Sequence, residues 1–236
     1  LMERVFSGRY FSDSKYFERV LKGKVLSILK ELHKRAPEAA EDGNSPLSDE
    51  DLLAERGLYR WPEVFEYSGA LTVHMDDGSR FDTGVHRYGA YLNSEEVRHI
   101  AAVDGSAIRR VVFIENKANY MDFQARRRQP GDLVVYHGGF YSPAKGLLFA
   151  KIYEGCPNAA FYHWSDIDLG GFRLFCRLRS SIAPTVQPRF MDVETLERNA
   201  ASCMKITAPA YLAQLSALLD DAEYAVLWEV IRYMLA

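Results

Sequence analysis

The chain has 236 residues, 48% of them hydrophobic and 26% charged, with a formal net charge of −3. This is the composition of an ordinary globular protein with room for a sizeable core in one or two domains, and it excludes a disordered chain and a surface that is basic throughout. Cys156, Cys176 and Cys203 form no CxxC pair, which argues against a disulfide framework or a zinc site and fits a reducing cytoplasm.

The opening "LMERVFSGRYF" has no signal-peptide core, and no apolar stretch in the chain reaches bilayer length, so a cytoplasmic protein without membrane contact is expected. A first residue of Leu1 fits a piece of a longer chain. Apolar residues at Phe17, Val20, Leu21, Val25, Ile28, Leu29 and Leu32 have helical spacing and predict a helix over 14–35. Its lysines, Lys15, Lys22, Lys24, Lys30 and Lys34, read either as a solvated face or as a stripe facing DNA. A loop over 35–48 follows, then a short helix capped by Ser48 and ended by Gly57. "GALTVHMDDGSRFDTG" predicts a hairpin turning at Asp77-Gly78. "NSEEVRHIAAVDG" predicts a capped helix ending near Gly105.

From residue 109 the pattern changes. "RRVVFIEN", "DLVVYHGGF" and "AAFYHWSDID" read as strands, and the helical stretches 120–129, 142–154 and 170–180 alternate with them. Ser142 and Pro143 open the second of these helices. Such alternation predicts an α/β fold with a mainly parallel sheet flanked by helices. "VQPRF" is a candidate fourth strand, and helices are predicted over 193–203 and 208–235. The division expected is a mixed α+β region over 1–106, a catalytic domain over 107–195 and a helical segment over 196–236.

Sites in parallel sheets form at the carboxyl ends of the strands. Glu115 ends one predicted strand there, and Asp166 and Asp168 end another. If the third strand continues through Asp168, both aspartates point to one face. Like charges brought together need a cation or a raised pKa, and hard oxygen ligands at a sheet edge suit Mg²⁺. The alternative is a helix-capping aspartate beside unrelated surface acids. Gly170 and Gly171 allow a close turn into the next helix, where Arg173 and Arg177 share a face and either neutralise phosphates or meet solvent and surface acids. Lys117 directly follows the glutamate–asparagine pair and is a second candidate for phosphate. His137 and His163 read as packed or hydrogen-bonded histidines, with an approach to the site as the alternative, and Arg126–Arg128 as a solvated helix end or a backbone-contact patch.

"VVFIENKANYMDF" followed by "HWSDIDLGGFRLFCRLR" resembles the Toprim domain shared by topoisomerases, primases and some nucleases. More narrowly it resembles the JetD family of bacterial Wadjet plasmid-defence systems, and "FMDVETLERN" and "SDSKYFE" are similar as well. The family pattern is an apolar strand ending in Glu-Asn-Lys, then Trp-Gly-Asp-x-Asp-x-x-Gly-Phe. Here these are Glu115-Asn116-Lys117 and Trp164 to Phe172, with Ser165 in place of the glycine. The likeness covers roughly residues 108–200, and the chain stops at Ala236, where the family is expected to continue. The resemblance implies a Mg²⁺-dependent DNA endonuclease related to the A subunit of topoisomerase VI, with Mn²⁺ as a substitute metal. It implies that Glu115 is the general acid/base and that Asp166 and Asp168 bind metal, with Glu115 sharing in that binding. It also implies DNA without sequence preference, an SMC-like Wadjet complex and a second copy of the chain as partners. Two other readings stay open: a non-catalytic Toprim-like module that docks DNA or protein, and a topoisomerase-like strand breaker using a tyrosine, though none of the 14 tyrosines is singled out by spacing.

Overall fold

The computed structural model describes residues 1–35, 48–139 and 142–236, so most of the predicted loop over 35–48, and Phe140 at the end of the second predicted strand, lie outside the described residues. The chain begins with a helix that the sequence pattern did not announce, α1 (Glu3–Phe11). It closes against the next helix through Phe6, whose ring meets Phe17 edge-on at 5.4 Å, and through Ser7, whose Oγ accepts from the Phe17 amide at 2.9 Å. The helix predicted over 14–35 enters through Asp13, whose side chain accepts from the Lys15 amide, passes a single π-helical turn (Phe17–Leu21) and continues as α2 (Lys22–Arg35). Ser48 and Asp51 form a reciprocal capping box on α3 (Asp49–Glu55), and Gly57 follows with φ +73°. Phe17, Leu26, Leu52 and Leu53 make a small core of their own.

Two sheets follow. β1 (Val64–Ser68) leads to β2 (Thr72–Met75) and β3 (Arg80–Asp82), a hairpin turning at Asp77-Gly78 as the sequence indicates. β4 (Ala90–Asn93) runs into α4 (Ser94–Val97), capped by Asn93. The helix expected to reach Gly105 stops at Val97, and Ile100–Asp104 form β5 instead. β5 pairs antiparallel with β2, placing buried Val103 opposite buried Val73, and that tertiary pairing overrides the local helical preference.

The main sheet adds β6 (Arg110–Ile114), α5 (Lys117–Arg126), β7 (Asp132–Tyr136), α6 (Pro143–Gly155), β8 (Ala160–Trp164), α7 (Leu169–Ser181) and β9 (Gln187–Pro188). Its order is β4-β1-β7-β6-β8-β9, with β7, β6, β8 and β9 parallel and β1 and β4 antiparallel at one side. The α/β fold with a mostly parallel sheet is therefore present, and the sheet draws strands from both sides of residue 106. Alternation along the strands sends Val111, Phe113, Leu133 and Val135 into the core that also holds Phe149 of α6 and Phe172 and Phe175 of α7. Val112, Ile114 and Val134 pack instead with Tyr120 and Phe123 of α5. Burial on both faces explains the unbroken apolar runs.

After β9 come α8 (Val193–Arg198), α9 (Pro209–Ala217), a 3₁₀ stretch (Ala222–Leu227) and α10 (Trp228–Leu235). The single helix expected over 208–235 is interrupted at Asp221, whose side chain accepts from the Glu223 amide and so starts a new segment.

His137 and His163 are both packed in the interior, their rings edge to face at 5.1 Å between the sheet and α6 and α7. Among the described residues neither ring nitrogen of His163 has a hydrogen-bond partner, and burial pushes its pKa down to about 3. The folded protein therefore refuses a proton that the unfolded chain accepts below its ordinary value of 6.5, so stability falls as pH drops through the window from 6.5 toward 3. His163→Phe removes this penalty. Between pH 7.5 and pH 5 the variant is expected to lose about 2 kcal/mol less stability than the wild type, at about 1.4 kcal/mol per pH unit, in urea titrations at the two pH values.

Candidate active site at the carboxyl edge of the sheet

Pairing brings β6, β7 and β8 to an end at the same level. Ile114 stands opposite both Tyr136 and Trp164, and the Glu115 amide donates to the Trp164 carbonyl at 2.9 Å. Glu115 thus leaves the sheet beside the turn that carries Asp166 and Asp168. β8 stops at Trp164, so the two aspartates do not share a strand face. Asp168 is instead the N-cap of α7, with Oδ1 accepting from the Gly171 amide at 2.7 Å. The turn folds back far enough for the Asp166 amide to point at Glu115 Oε2, 3.4 Å away.

This turn exists because of Gly171. A Cβ there would overlap the Asp166 carbonyl and lie 2.6 Å from Ser165 Oγ, which itself donates to the Gly171 carbonyl. At Gly170 the nearest atom to such a Cβ is Asp168 Oδ1 at 3.4 Å, an ordinary contact. Of the two glycines the sequence singled out, only the second is sterically required.

Electrostatically the three acids act as a set. Burial first, then the charges of Asp166 and Asp168, push the Glu115 pKa up to about 7. Asp166 is also raised, by partial shielding of its carboxylate and then by Asp168. Among the described residues no group of three or more His, Cys, Asp and Glu side chains is gathered to hold an ion as it stands. The donors nevertheless fit Mg²⁺ as it is commonly held, by one or two carboxylates completed with water and phosphate oxygens. Glu115 Oε1, Asp168 Oδ2 and the Asp166 carboxylate have no hydrogen bond from the described residues, whereas Glu115 Oε2 and Asp168 Oδ1 are engaged by backbone amides.

The cations predicted around the site have different surroundings. Lys117 opens α5, ion-pairs with the buried Glu66 of β1 and lies 4.4 Å from the centroid of the Tyr136 ring. Tyr136 in turn is raised by burial and by the charge of Glu115. Arg173, on α7, is buried at 8% exposure rather than presented to solvent. Arg177 lies 3.6 Å from Glu55 of α3, an ion pair that has to open before the side chain meets a phosphate. The sequence reading missed three neighbours of the edge. Glu66 was marked by a lone acid in the apolar run "VFEYS". Lys145, in the first turn of α6, lies against Gly138, and burial lowers its pKa. Tyr211 of α9 accepts from the Leu169 amide at 3.0 Å, and only the packing of the C-terminal helices reveals it.

Fold and site together define an α/β protein with an acidic centre at the carboxyl edge of a parallel sheet. The chain belongs to the family described as "Wadjet protein JetD, C-terminal", whose pattern matches residues 79–236. It is similar to the Wadjet protein JetD of Bacillus cereus (strain Q1), with 24% identity over 235 residues, which are 99% of this chain and 54% of that relative. The chain spans about half the length of that relative. Among the described residues no helix is long and apolar enough to cross a membrane.

Two outcomes follow from this geometry. Gly171→Ala is expected to cost about 1–3 kcal/mol by forcing the Ser165–Asp166 turn aside, while Gly170→Ala stays within about 0.5 kcal/mol of the wild type in chemical denaturation. Glu115 holds its proton up to about 7 when folded, against 4.5 when unfolded, so its contribution to stability is present below 4.5 and lost as pH rises through 7. Glu115→Gln is expected to raise Tm clearly at pH 8 and hardly at pH 4.5, read by thermal melts at both values.

Proposed function

We propose that this chain is the nuclease-bearing part of a Wadjet plasmid-defence protein, a Toprim-like, topoisomerase VI-related hydrolase that cuts DNA phosphodiesters at Glu115, Asp166 and Asp168. The observation that carries the reading is the convergence of three carboxylates on one sheet edge, with Glu115 facing the Asp166 amide and Asp168 capping α7. Family membership supports the anti-plasmid role, since the similar protein bears the name Wadjet protein JetD.

In this reading Asp166, the free oxygen of Asp168 and Glu115 hold Mg²⁺, or Mn²⁺ in its place. The chemistry a bound ion would supply there is polarisation of a phosphoryl oxygen and a lower pKa for a coordinated water. The chain's own residues supply position and protons. Glu115, whose carboxyl is raised by burial and its acidic neighbours in the metal-free protein, takes a proton from the attacking water or gives one to the leaving oxygen. Asp168 keeps the turn in place while it offers its second oxygen. Lys117 and Lys145 flank the edge as counter-charges for phosphate, and Arg173 and Arg177 add positive charge from α7. Tyr136 and Tyr211, the tyrosines found beside the acids, both have raised pKa values, which favours water over tyrosine as nucleophile because an activated phenol needs the opposite shift. DNA bound without sequence preference, an SMC-like Wadjet complex and a second copy of the chain are the partners that go with this function.

A second reading, a docking module without catalysis, is favoured by the absence of a ready three-carboxylate metal cage among the described residues. Cleavage of covalently closed plasmid in Mg²⁺ or Mn²⁺ separates the two. The wild type is expected to cut, Asp166→Ala and Asp168→Asn to lose cutting and Mn²⁺ binding by calorimetry, and Glu115→Gln to slow by about 100-fold or more. The asparagine keeps the helix cap, so loss of activity there is not loss of the turn. Wild-type rates in Asp168→Asn would remove the metal site, and an inert wild type would leave the docking module.

A further inference from the structure

Resting on the reading of this chain as a DNA-acting protein, we propose that the sheet face beside α5, from Trp164 to Arg110, is the track that holds the DNA backbone, with Arg189 as its phosphate contact. Nothing in the acidic centre requires this face. α5 covers its middle, and Tyr162, Trp164, Arg189 and Phe190 at the β8 side remain partly open.

Arg189 is the anomaly. Its backbone is held in place, with the amide donating to the His163 carbonyl at 2.8 Å. Its guanidinium carbon lies 4.8 Å from the centroid of the Phe190 ring, 5.4 Å from Tyr162 and 6.0 Å from Phe123. Nε is buried without a hydrogen-bond partner, and no carboxylate lies within ion-pair distance among the described residues. Arg110, stacked on the same Phe123 ring at 5.9 Å, has such a partner in Asp132, whose Oδ1 accepts from its Nε at 2.9 Å. Burial first, then the charge of Arg110 and more weakly that of Arg127, oppose the Arg189 charge, and Tyr162 and the Asp132 carboxylate, which Arg110 already engages, favour it. A partly buried cation beside two others, held by rings and sharing its nearest acid with Arg110, gains further when an anion arrives from outside.

The face also leads to the acids. Phe190, in the left-handed region at φ +57°, packs its ring on Trp164 at 5.0 Å, and the Trp164 carbonyl accepts from Glu115. A bulky residue at positive φ is sterically costly and is kept only where its surroundings hold it. Arginine stacked on aromatic rings beside Arg110 and Arg127, which are paired with Asp132 and Asp122, suits a polyphosphate backbone, which is met by charge and flat apolar surface without base readout.

The test is binding of a fluorescein-labelled duplex to the full chain in EDTA, where cleavage is off and the acids are not needed. Arg189→Met keeps an apolar stem on the rings and removes the charge. It is expected to weaken binding about tenfold and to lower the slope of log Kd against log salt by about one counterion. In the wild type, DNA is expected to protect Arg189 from phenylglyoxal, read by peptide mass spectrometry, so the result does not depend on the variant folding. Unchanged affinity and slope with an unprotected Arg189 would overturn the track while leaving the nuclease reading intact. Protection by polyglutamate and not by DNA would overturn it in favour of an acidic protein partner. A wild type that binds no duplex even at low salt would sink the track together with the nuclease reading.

Discussion

The candidate site depends on one close approach, that of α7 to the end of β8. Parallel pairing ends β6, β7 and β8 at one level, but pairing alone leaves Asp166 and Asp168 free to wander past the sheet. Backbone packed against backbone at Gly171 turns the chain sharply, puts Asp168 on the third amide of the helix it caps and folds the Asp166 amide toward Glu115. Ser165 tightens the same turn by bonding the Gly171 carbonyl, and it touches Met191 Sδ at 3.4 Å, which ties the turn to the segment after β9.

Charge is distributed around that turn with a consistent logic. The acids occupy the edge, where water or a cation can reach them, and half-buried Glu115 is pushed toward its protonated form, first by burial and then by its acidic neighbours. The cations stand a step away, Lys117 anchored on Glu66 and Lys145 in the first turn of α6. A cation at a helix N-terminus opposes the helix dipole, so Lys145 gains most when an anion sits beside it. The interior behind the edge is kept neutral: two aromatic-like histidines fill the space between the sheet and its helices.

The family match begins in the β2–β3 hairpin and runs through every element of the edge. α1, α2 and α3 lie ahead of it and pack about their own core of Phe17, Leu26, Leu52 and Leu53. They reach the remainder through contacts such as Arg177 with Glu55, so the helix bearing part of the site also meets the N-terminal helices.

By itself the sequence determined the parts whose cause is local. Apolar runs and helical spacings marked β6, β7 and β8 with their helices, Ser48 and Ser142 marked caps, and Asp77-Gly78 marked a turn, because these rest on side-chain period and backbone preference within a few residues. It also placed Glu115, Asp166 and Asp168 near strand ends. Only tertiary structure decided that β5 is a strand rather than the end of a helix, since its stability lies in β2 across the sheet. The same holds for β1 and β4, whose place beside β7 brings Glu66 to Lys117. Arg173 and Arg177 share a helix face in any reading, yet one is buried and the other paired, because a helical period says which residues are neighbours and not what covers them. The aspartates, too, reach one site through a turn and a cap rather than through strand alternation; the glycine pair announced a close turn, and the end of β8 at Trp164 decided where it falls.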